Sequence, residues 1–270
     1  MPHTSRLAQA QASRYQVPPQ AGYRRKVGEI FTSAEILSLT RRSDWRGLWA
    51  VGSTWGVIAG AFAVMAWASH QLPTWAAVLT VLVGMAVIAG RQLGLAILMH
   101  EASHGTLFKT KWFNEVLVDW VCARPIWNDL AKYRAHHLLH HSKTGSAQDT
   151  DISLVAPFPT TRASLMRKLV RDLVGLTGLK FFVGRLLMDA GYLKWTIAQD
   201  LTKLPQEGRT LPECITTFAR NITPMLLTNL ALWAALDASG EGWLFGIWVL
   251  SYMTPFTVFV RIRSMAEHAC

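Results

Sequence analysis

Four long apolar runs constrain the fold of this 270-residue chain more than any other feature of its sequence. A helix of about 20 residues crosses the ~30 Å hydrocarbon core of a bilayer, where a helical backbone satisfies its own hydrogen bonds. We therefore predict a mostly α integral membrane protein with four transmembrane helices, at about 48–69, 75–99, 218–236 and 243–260. Because the connections 70–74 and 237–242 are short, the four helices should form two hairpins.

The formal net charge of +10 is a feature often seen in proteins that bind nucleic acid. Its distribution argues against that class, because all 27 Lys and Arg except Arg91 lie in residues 1–46, in 109–220 or after the last run. Neither hairpin connection contains one. Since basic residues favour the cytoplasmic side, we predict a multi-pass protein with both termini and the central segment in the cytoplasm. The expected partner is the lipid bilayer, including its anionic headgroups, and no nucleic acid.

The chain divides into a cytoplasmic N-terminal tail with an interfacial segment, 1–46, and a membrane domain, 47–270. Within the membrane domain, residues 100–217 form a helical cytoplasmic cap. In part of this cap, 164–193, apolar residues recur at helical spacing among basic ones. That pattern predicts a helix that either lies in the membrane interface or packs on the core of the cap. Three cysteines are widely separated in segments assigned to the cytoplasm, which argues against a disulfide framework.

The first histidine motif is HEASH, at residues 100–104. The second apolar run continues in helical register through this motif to Gly105, which is a suitable helix stop. Residues four apart on a helix share a face, so His100 and His104 can point towards one metal ion. The motif should therefore lie where a helix leaves the bilayer.

The second histidine motif is HHLLHH, at residues 136–141. His137, His140 and His141 have i, i+3 and i+4 spacing and share one helical face. His136 is rotated by about 100° from His137, so we expect it to lie outside the ligand set. A lone histidine near a membrane is usually a hydrogen-bonded structural residue, but five on two helical faces favour a metal site.

The identity of the metal depends on whether both motifs serve one site. HEASH fits the HExxH pattern of zinc proteases, with His100 and His104 as ligands and Glu101 as the base. A single tetrahedral zinc ion needs only three protein ligands, which leaves the second motif unexplained. Two motifs suit two metals better, and the absence of nearby thiolates or an acidic motif favours non-haem iron with oxygen chemistry.

Three segments together resemble the membrane fatty acid desaturase superfamily. HEASHG is similar to its first histidine box, and YRAHHLLHH is similar to its second, HxxHH, with the Tyr-Arg lead-in common there. RIRSMAEH, at 261–268, resembles the segment after the last span that supplies one further histidine ligand. The resemblance covers the chain from about residue 47 to its end, including the two-hairpin topology.

This resemblance implies a di-iron centre held by His100, His104, His137, His140, His141 and His268. Two non-haem iron ions, reduced by an external donor of the cytochrome b5 or ferredoxin type, would activate O2. Hydrogen would then be removed from a methylene of a lipid acyl chain, leaving a double bond. Ligand imidazoles need acceptors that fix their tautomers. The candidate acceptors are Glu101, Asp149, Asp151 and Glu267.

The chain departs from the family pattern after His268. The family has a third HxxHH box there, whereas this chain ends at Cys270, so we expect a C-terminal truncation that leaves this chain inactive. Ser264 and the HxxxH spacing of the first box favour acyl-lipid or related desaturases over the acyl-CoA branch. The alternatives are a lipid hydroxylase or carotenoid ketolase of the same superfamily, a zinc-dependent intramembrane protease, and a non-catalytic membrane subunit.

Overall fold

The structure, a computed structural model, describes residues 27–144, 146, 148–155, 160–198 and 201–268. This part of the chain is mostly helical, and its only pairing of extended backbone is an isolated bridge between Leu193 and Lys203. In chain order the α-helices are α1 (Val27–Ile30), α2 (Ser33–Leu39), α3 (Asp44–Gln71), α4 (Thr74–Ser103), α5 (Leu130–Lys143), α6 (Ile152–Val155), α7 (Arg162–Leu173), α8 (Leu176–Asp189), α9 (Leu211–Ala238), α10 (Leu244–Met253) and α11 (Pro255–His268). Two π-helical turns, Phe113–Leu117 and Asp119–Ala123, and the 3-10 turn Arg124–Ile126 lie between α4 and α5.

Three helical stretches are long and apolar enough to cross a membrane: Ser33–Gln71, Thr74–Ser103 and Leu244–Glu267. They contain the first, second and fourth predicted spans. The third predicted span, 218–236, lies inside α9, which has sufficient length at 28 residues. The mean hydropathy of α9 is lower than that of the three other stretches, because Asn221 and Asn229 interrupt its apolar sequence.

The α3–α4 hairpin forms much of the buried core, and α10 packs against it. Trp55 of α3 stacks on Trp248 of α10, with ring centroids 6.0 Å apart. The Trp55 indole also donates a hydrogen bond of 2.9 Å to the Val121 carbonyl. This bond satisfies a carbonyl of the irregular segment after α4, where π-helical geometry changes the usual hydrogen-bond pattern. The turn Asp119–Ala123 is thereby attached to α3, and Asp119 in turn accepts a hydrogen bond of 2.9 Å from the Leu130 amide at the start of α5.

The sequence predicted a single helix over 164–193, but the structure has two helices there. Gly175 lies between α7 and α8 with φ at +80°, a left-handed conformation that favours glycine. The amphipathic pattern persists across this break because both helices keep apolar residues on an exposed face, Val170 and Leu173 in α7 and Leu179 in α8. The change of direction points the inner face of α8 towards the turn before α5.

The last apolar run is also interrupted, because α10 ends at Met253 and α11 begins at Pro255. Proline lacks an amide hydrogen and is favoured in the first turn of a helix, which explains the restart at this residue. Gly178 of α8 packs directly against this break. A Cβ atom added to Gly178 would lie 2.6 Å from the Met253 Cα and would also contact the Met253 carbonyl.

We expect Gly178→Ala to destabilise the protein, because the added methyl group meets the backbone of Met253 rather than a movable side chain. Overpacking of this kind costs about 1–3 kcal/mol in free energy of unfolding. Gly184→Ala is the matched control in the same helix, since nothing lies within 4 Å of its added Cβ. The control should be neutral or stabilising by about 0.5–1 kcal/mol. Thermal unfolding of both variants in detergent tests this difference, and equal behaviour would contradict the close approach.

Candidate metal centre

The two histidine motifs meet where α4 and α5 pack together. α4 continues through the first motif as predicted and ends beside His104, followed by Gly105 with φ at +68°. α5 begins after Asp129, whose side chain accepts a hydrogen bond from the Lys132 amide and so caps the helix. The ends of the two helices thus bring the motifs to one place, although His136 follows His104 by 32 positions in the chain.

The ring nitrogens of three histidines form the centre of this cluster. The ligand atoms of His100, His104 and His137 all lie within 4.8 Å of one another. His137 Nε2 lies 2.9 Å from His104 Nε2 and 3.0 Å from His141 Nε2. A neutral imidazole nitrogen has either one N–H or one lone pair, so direct hydrogen bonds cannot satisfy the whole group. A shared cation would satisfy all of these nitrogens at once.

The donor set indicates which metals the residues fit. The close nitrogens of His104, His137 and His141 are all imidazole nitrogens, which bind iron, zinc, copper or nickel. At separations of 2.9 and 3.0 Å, the two nitrogens of each pair are near enough to bind one cation. The cluster therefore fits a transition-metal site.

The protonation state of the central histidine also suits metal binding. Burial, reinforced by the neighbouring imidazoles of His100 and His141, lowers the pKa of His137 to about 3. Burial likewise lowers the pKa of His141. Both rings are therefore neutral at pH 7 and retain a lone pair that a metal can accept.

Tyr133 lies one helical turn before His137 and contacts two histidines of the cluster. Its hydroxyl lies 2.9 Å from His100 Nδ1, and its ring stacks on His137 with a centroid distance of 5.2 Å. Burial raises the pKa of Tyr133, so the phenol stays protonated. The Tyr-Arg lead-in was visible in the sequence, but its contact with the first motif was not predicted.

Arg134 is the second residue of that lead-in, and it binds the end of α4. Its guanidinium donates hydrogen bonds to the carbonyls of Ser103, at 2.9 Å, and Ala102, at 3.3 Å. These carbonyls belong to the last turn of α4, where the Gly105 amide also donates to the Ala102 carbonyl, and this turn carries the negative end of the helix dipole. Arg134 therefore fixes the first motif relative to the second.

The remaining histidines of the second motif face two aspartates. His140 Nδ1 donates to Asp149 at 2.6 Å, and His136 Nε2 lies 2.9 Å from Asp151. The Asp151 amide donates to Asp149 at 2.9 Å, so the two carboxylates are held as one unit. His136 thus contacts Asp151 and lies outside the three-histidine group. His140 also lies outside that group, although the sequence placed it on the same face as His137.

The other sequence candidates lie elsewhere. Glu101 is exposed and accepts a hydrogen bond of 2.9 Å from the Thr106 hydroxyl. Glu267 accepts one of 2.7 Å from Arg263 on the same helix. His268 ends α11, which packs against α4, but its side chain lies outside the described residues. Of the four candidate acceptors, Asp149 and Asp151 therefore contact the second motif.

Comparison with protein-family models identifies the chain. The model described as fatty acid desaturase matches residues 73–270, which include both histidine motifs and His268. No curated protein matches the chain significantly, and no solved structure does. The family match covers well over half of the sequence and agrees with the histidine cluster between α4 and α5. The chain belongs to the fatty acid desaturase family.

Proposed function

We propose that this protein is a membrane-bound fatty acyl lipid desaturase that uses O2 and an external electron donor. The observation that carries the proposal is the convergence of His100, His104 and His137 from two helices in a chain of the desaturase family. Family membership and apolar helices already identify an integral membrane protein related to lipid oxidases. We add the proposal that the reaction is desaturation.

We further propose a ligand set for two non-haem iron ions, taken from both motifs and the end of α11. Its members are His100, His104, His137, His140, His141 and His268. When bound and reduced, such a centre supplies with O2 the oxidising power needed to remove hydrogen from an unactivated methylene. The neutral imidazoles of His137 and His141, and the close approach of the His104 nitrogen to that of His137, support this assignment.

The surrounding residues orient the rings that would hold the metal. Tyr133, beside His100 Nδ1, leaves His100 Nε2 for coordination. Asp149 has the same effect on His140, because it accepts the Nδ1 proton. Carboxylate and hydroxyl partners of this kind fix the tautomer of a ligand histidine and increase its basicity. The tautomers of these imidazoles are thereby fixed before a metal binds.

The topology that we propose places both termini and the histidine motifs in the cytoplasm. Four spans, with α9 providing the third, would enclose the acyl chain, and residues 100–217 would form the cytoplasmic cap. Residues 1–46 would be a cytoplasmic tail with an interfacial segment, preceding the membrane domain 47–270. The basic residues of 109–220 support this orientation. An electron donor of the cytochrome b5 or ferredoxin type would then approach from the cytoplasm.

Lipid analysis of cells that express the full-length protein tests the proposal. We expect acyl chains with a new double bond, formed only in the presence of O2, and iron in the purified protein. A hydroxylated product instead would assign the chain to the hydroxylase branch of the same chemistry. One zinc ion per chain, with proteolysis and no change in lipids, would refute the desaturase proposal.

The zinc protease alternative is not favoured by the geometry around the first motif. The carboxylate of Glu101, which would have to act as the base, bonds Thr106 at 2.9 Å on the exposed side of the helix end. The family match further supports oxygen chemistry over proteolysis.

We expect Asp149→Asn to weaken iron binding by about 10- to 100-fold, the usual effect of losing a partner of a ligand histidine. The amide cannot accept the His140 Nδ1 proton as strongly as the carboxylate does at 2.6 Å. Asp237→Asn is the matched control, because Asp237 is exposed in the last turn of α9. Iron titration of the purified apoproteins measures the difference. Unchanged affinity in Asp149→Asn would exclude this role for the carboxylate.

A further inference from the structure

A network of charged side chains lies between α8 and the start of α5. Arg124 forms ion pairs with Asp119 at 2.7 Å and with Asp129 at 3.1 Å. Lys132 lies 3.5 Å from Asp189, which is fully buried, and 4.0 Å from Asp129. These contacts join the turn before α5, the first turn of α5 and the end of α8. The network is separate from the histidines that we assign to the metals.

Arg185 belongs to this region but has no carboxylate partner among the described residues. Its Nη2 lies 3.4 Å from the Asn128 side-chain oxygen, and its guanidinium carbon lies 4.9 Å from the centroid of the Trp195 ring. Its Nη1 is buried, and within the described part of the chain it has no hydrogen-bond partner. The buried Trp195 Nε1 is also unpartnered there. Two buried donors in one stacked pair are costly unless a further group accepts from them.

The charges of the region indicate what kind of group would fit. Three cations and three carboxylates balance one another: Arg124, Lys132, Arg185, Asp119, Asp129 and Asp189. A neutral ligand therefore avoids adding an unbalanced charge to a buried network. A carbonyl oxygen has two lone pairs and can accept from both donors. Asp189 Oδ2 is a further unpartnered buried atom in the described chain, and an N–H or O–H beside that carbonyl would satisfy it.

The Arg185 and Trp195 donors lie close to both the expected bilayer surface and the proposed metal site. The face of α8 opposite Arg185 exposes Leu176, Leu179 and Val183, as expected for contact with hydrocarbon. On the inner side, the Trp195 ring lies 5.8 Å from the ring of His136, the chain neighbour of His137. The donors therefore lie between an apolar outer surface and the helix that carries the second motif.

We propose that Arg185 and Trp195 bind the carbonyl oxygen of the acyl substrate and so hold its polar end beside α5. This inference rests on the proposed function, because it takes an acyl lipid as the substrate, and it adds the residues that recognise its polar group. The carbonyl belongs to an ester or an amide, and the chemistry shared by both is the neutral acceptor oxygen. Neither residue would take part in the reaction itself.

Photo-crosslinking of the full-length protein tests the site without requiring turnover. The probe is a palmitoyl chain with a diazirine at carbon 3, supplied as a glycerophospholipid ester or an N-acyl amide. Mass spectrometry should find the label in peptides that contain Arg185 or Trp195. We expect labelling at equal probe concentration to fall about five-fold in Trp195→Phe, the effect of losing one neutral hydrogen bond. Arg185→Met should lower it further, and Lys180→Met, an exposed change in the same helix, should have no effect.

The outcomes separate this inference from the proposed function. The headgroup that labels most strongly identifies the source of the carbonyl, and labelling that depends on both residues supports the site. The inference would be overturned if the probe labelled other peptides, or if labelling were unchanged in both variants. The two donors would then be expected to bind ordered water instead. Iron content and lipid products of the same preparations report on the proposed function independently. A protein that contains iron and desaturates lipids but labels elsewhere would refute only the headgroup site.

Discussion

Replacing His137 by glutamine is expected to remove most of the bound iron and to lower product formation by at least about 100-fold, more than losing a mere partner of a ligand. His137 Nε2 is the central atom of the cluster, 2.9 Å from His104 Nε2 and 3.0 Å from His141 Nε2. Glutamine has a similar volume and a polar end, so the helix and its packing should survive. Iron content of the purified protein and the double-bond content of extracted lipids are the two measurements.

His136→Gln is the matched control for this prediction. The two histidines are neighbours on α5, but His136 Nε2 lies 2.9 Å from Asp151 and outside the three-histidine group. The control should keep its iron, because glutamine can still donate a hydrogen bond to Asp151. If both variants lost iron equally, the cause would be damage to α5 rather than loss of a ligand. That result would remove the main support for the metal centre.

Helical spacing was enough to predict which histidines of the first motif meet. His100 and His104 are four residues apart, and α4 continues through the motif to Gly105 as expected. In the second motif, the same rule was correct for His137 and His141, which are also four apart and converge. It was less accurate for His140, because a residue three positions on is rotated by about 60° from its partner. That rotation turns His140 towards Asp149.

Contacts between distant parts of the chain were not predictable from periodicity. Tyr133 meets His100 across 33 residues, and Arg185 stacks on Trp195 only because the chain turns back after α8. The helix break at Thr254 was not predicted from hydropathy, because the sequence is apolar on both sides of Pro255. Local sequence determines where helices begin and end, whereas such pairings depend on how the helices pack.

Removing one partner of the buried ion pair between Asp172 and Arg261 is expected to destabilise the protein strongly. Asp172 is fully buried in α7, and its carboxylate accepts hydrogen bonds from Arg261 Nη2, at 2.9 Å, and from Arg261 Nε on α11. The Thr257 hydroxyl donates to the Asp172 carbonyl at 3.3 Å. These contacts attach α11, which ends at His268, to α7.

Asp172→Ala should therefore lower the free energy of unfolding by about 3–5 kcal/mol, because it leaves the Arg261 charge buried without a partner. The corresponding fall in melting temperature is on the order of 10 °C for a chain of this size. Glu267→Ala is the control: it breaks the pair with Arg263 on the same helix, where the carboxylate is 49% exposed. Exposed pairs of this kind contribute about 0–1 kcal/mol. Thermal unfolding in detergent compares the two variants.

The double variant Asp172→Ala with Arg261→Met separates two explanations of that loss. If the unpaired charge is the cause, removing Arg261 as well should recover a large part of the stability, since buried ion pairs can often be replaced by apolar residues. If stability does not recover, the pair instead holds α11 in place, and the iron content of the double variant should fall as well. That second result would mean that α7 positions the end of α11 relative to the histidine cluster. Equal melting temperatures for Asp172→Ala and Glu267→Ala would contradict both explanations.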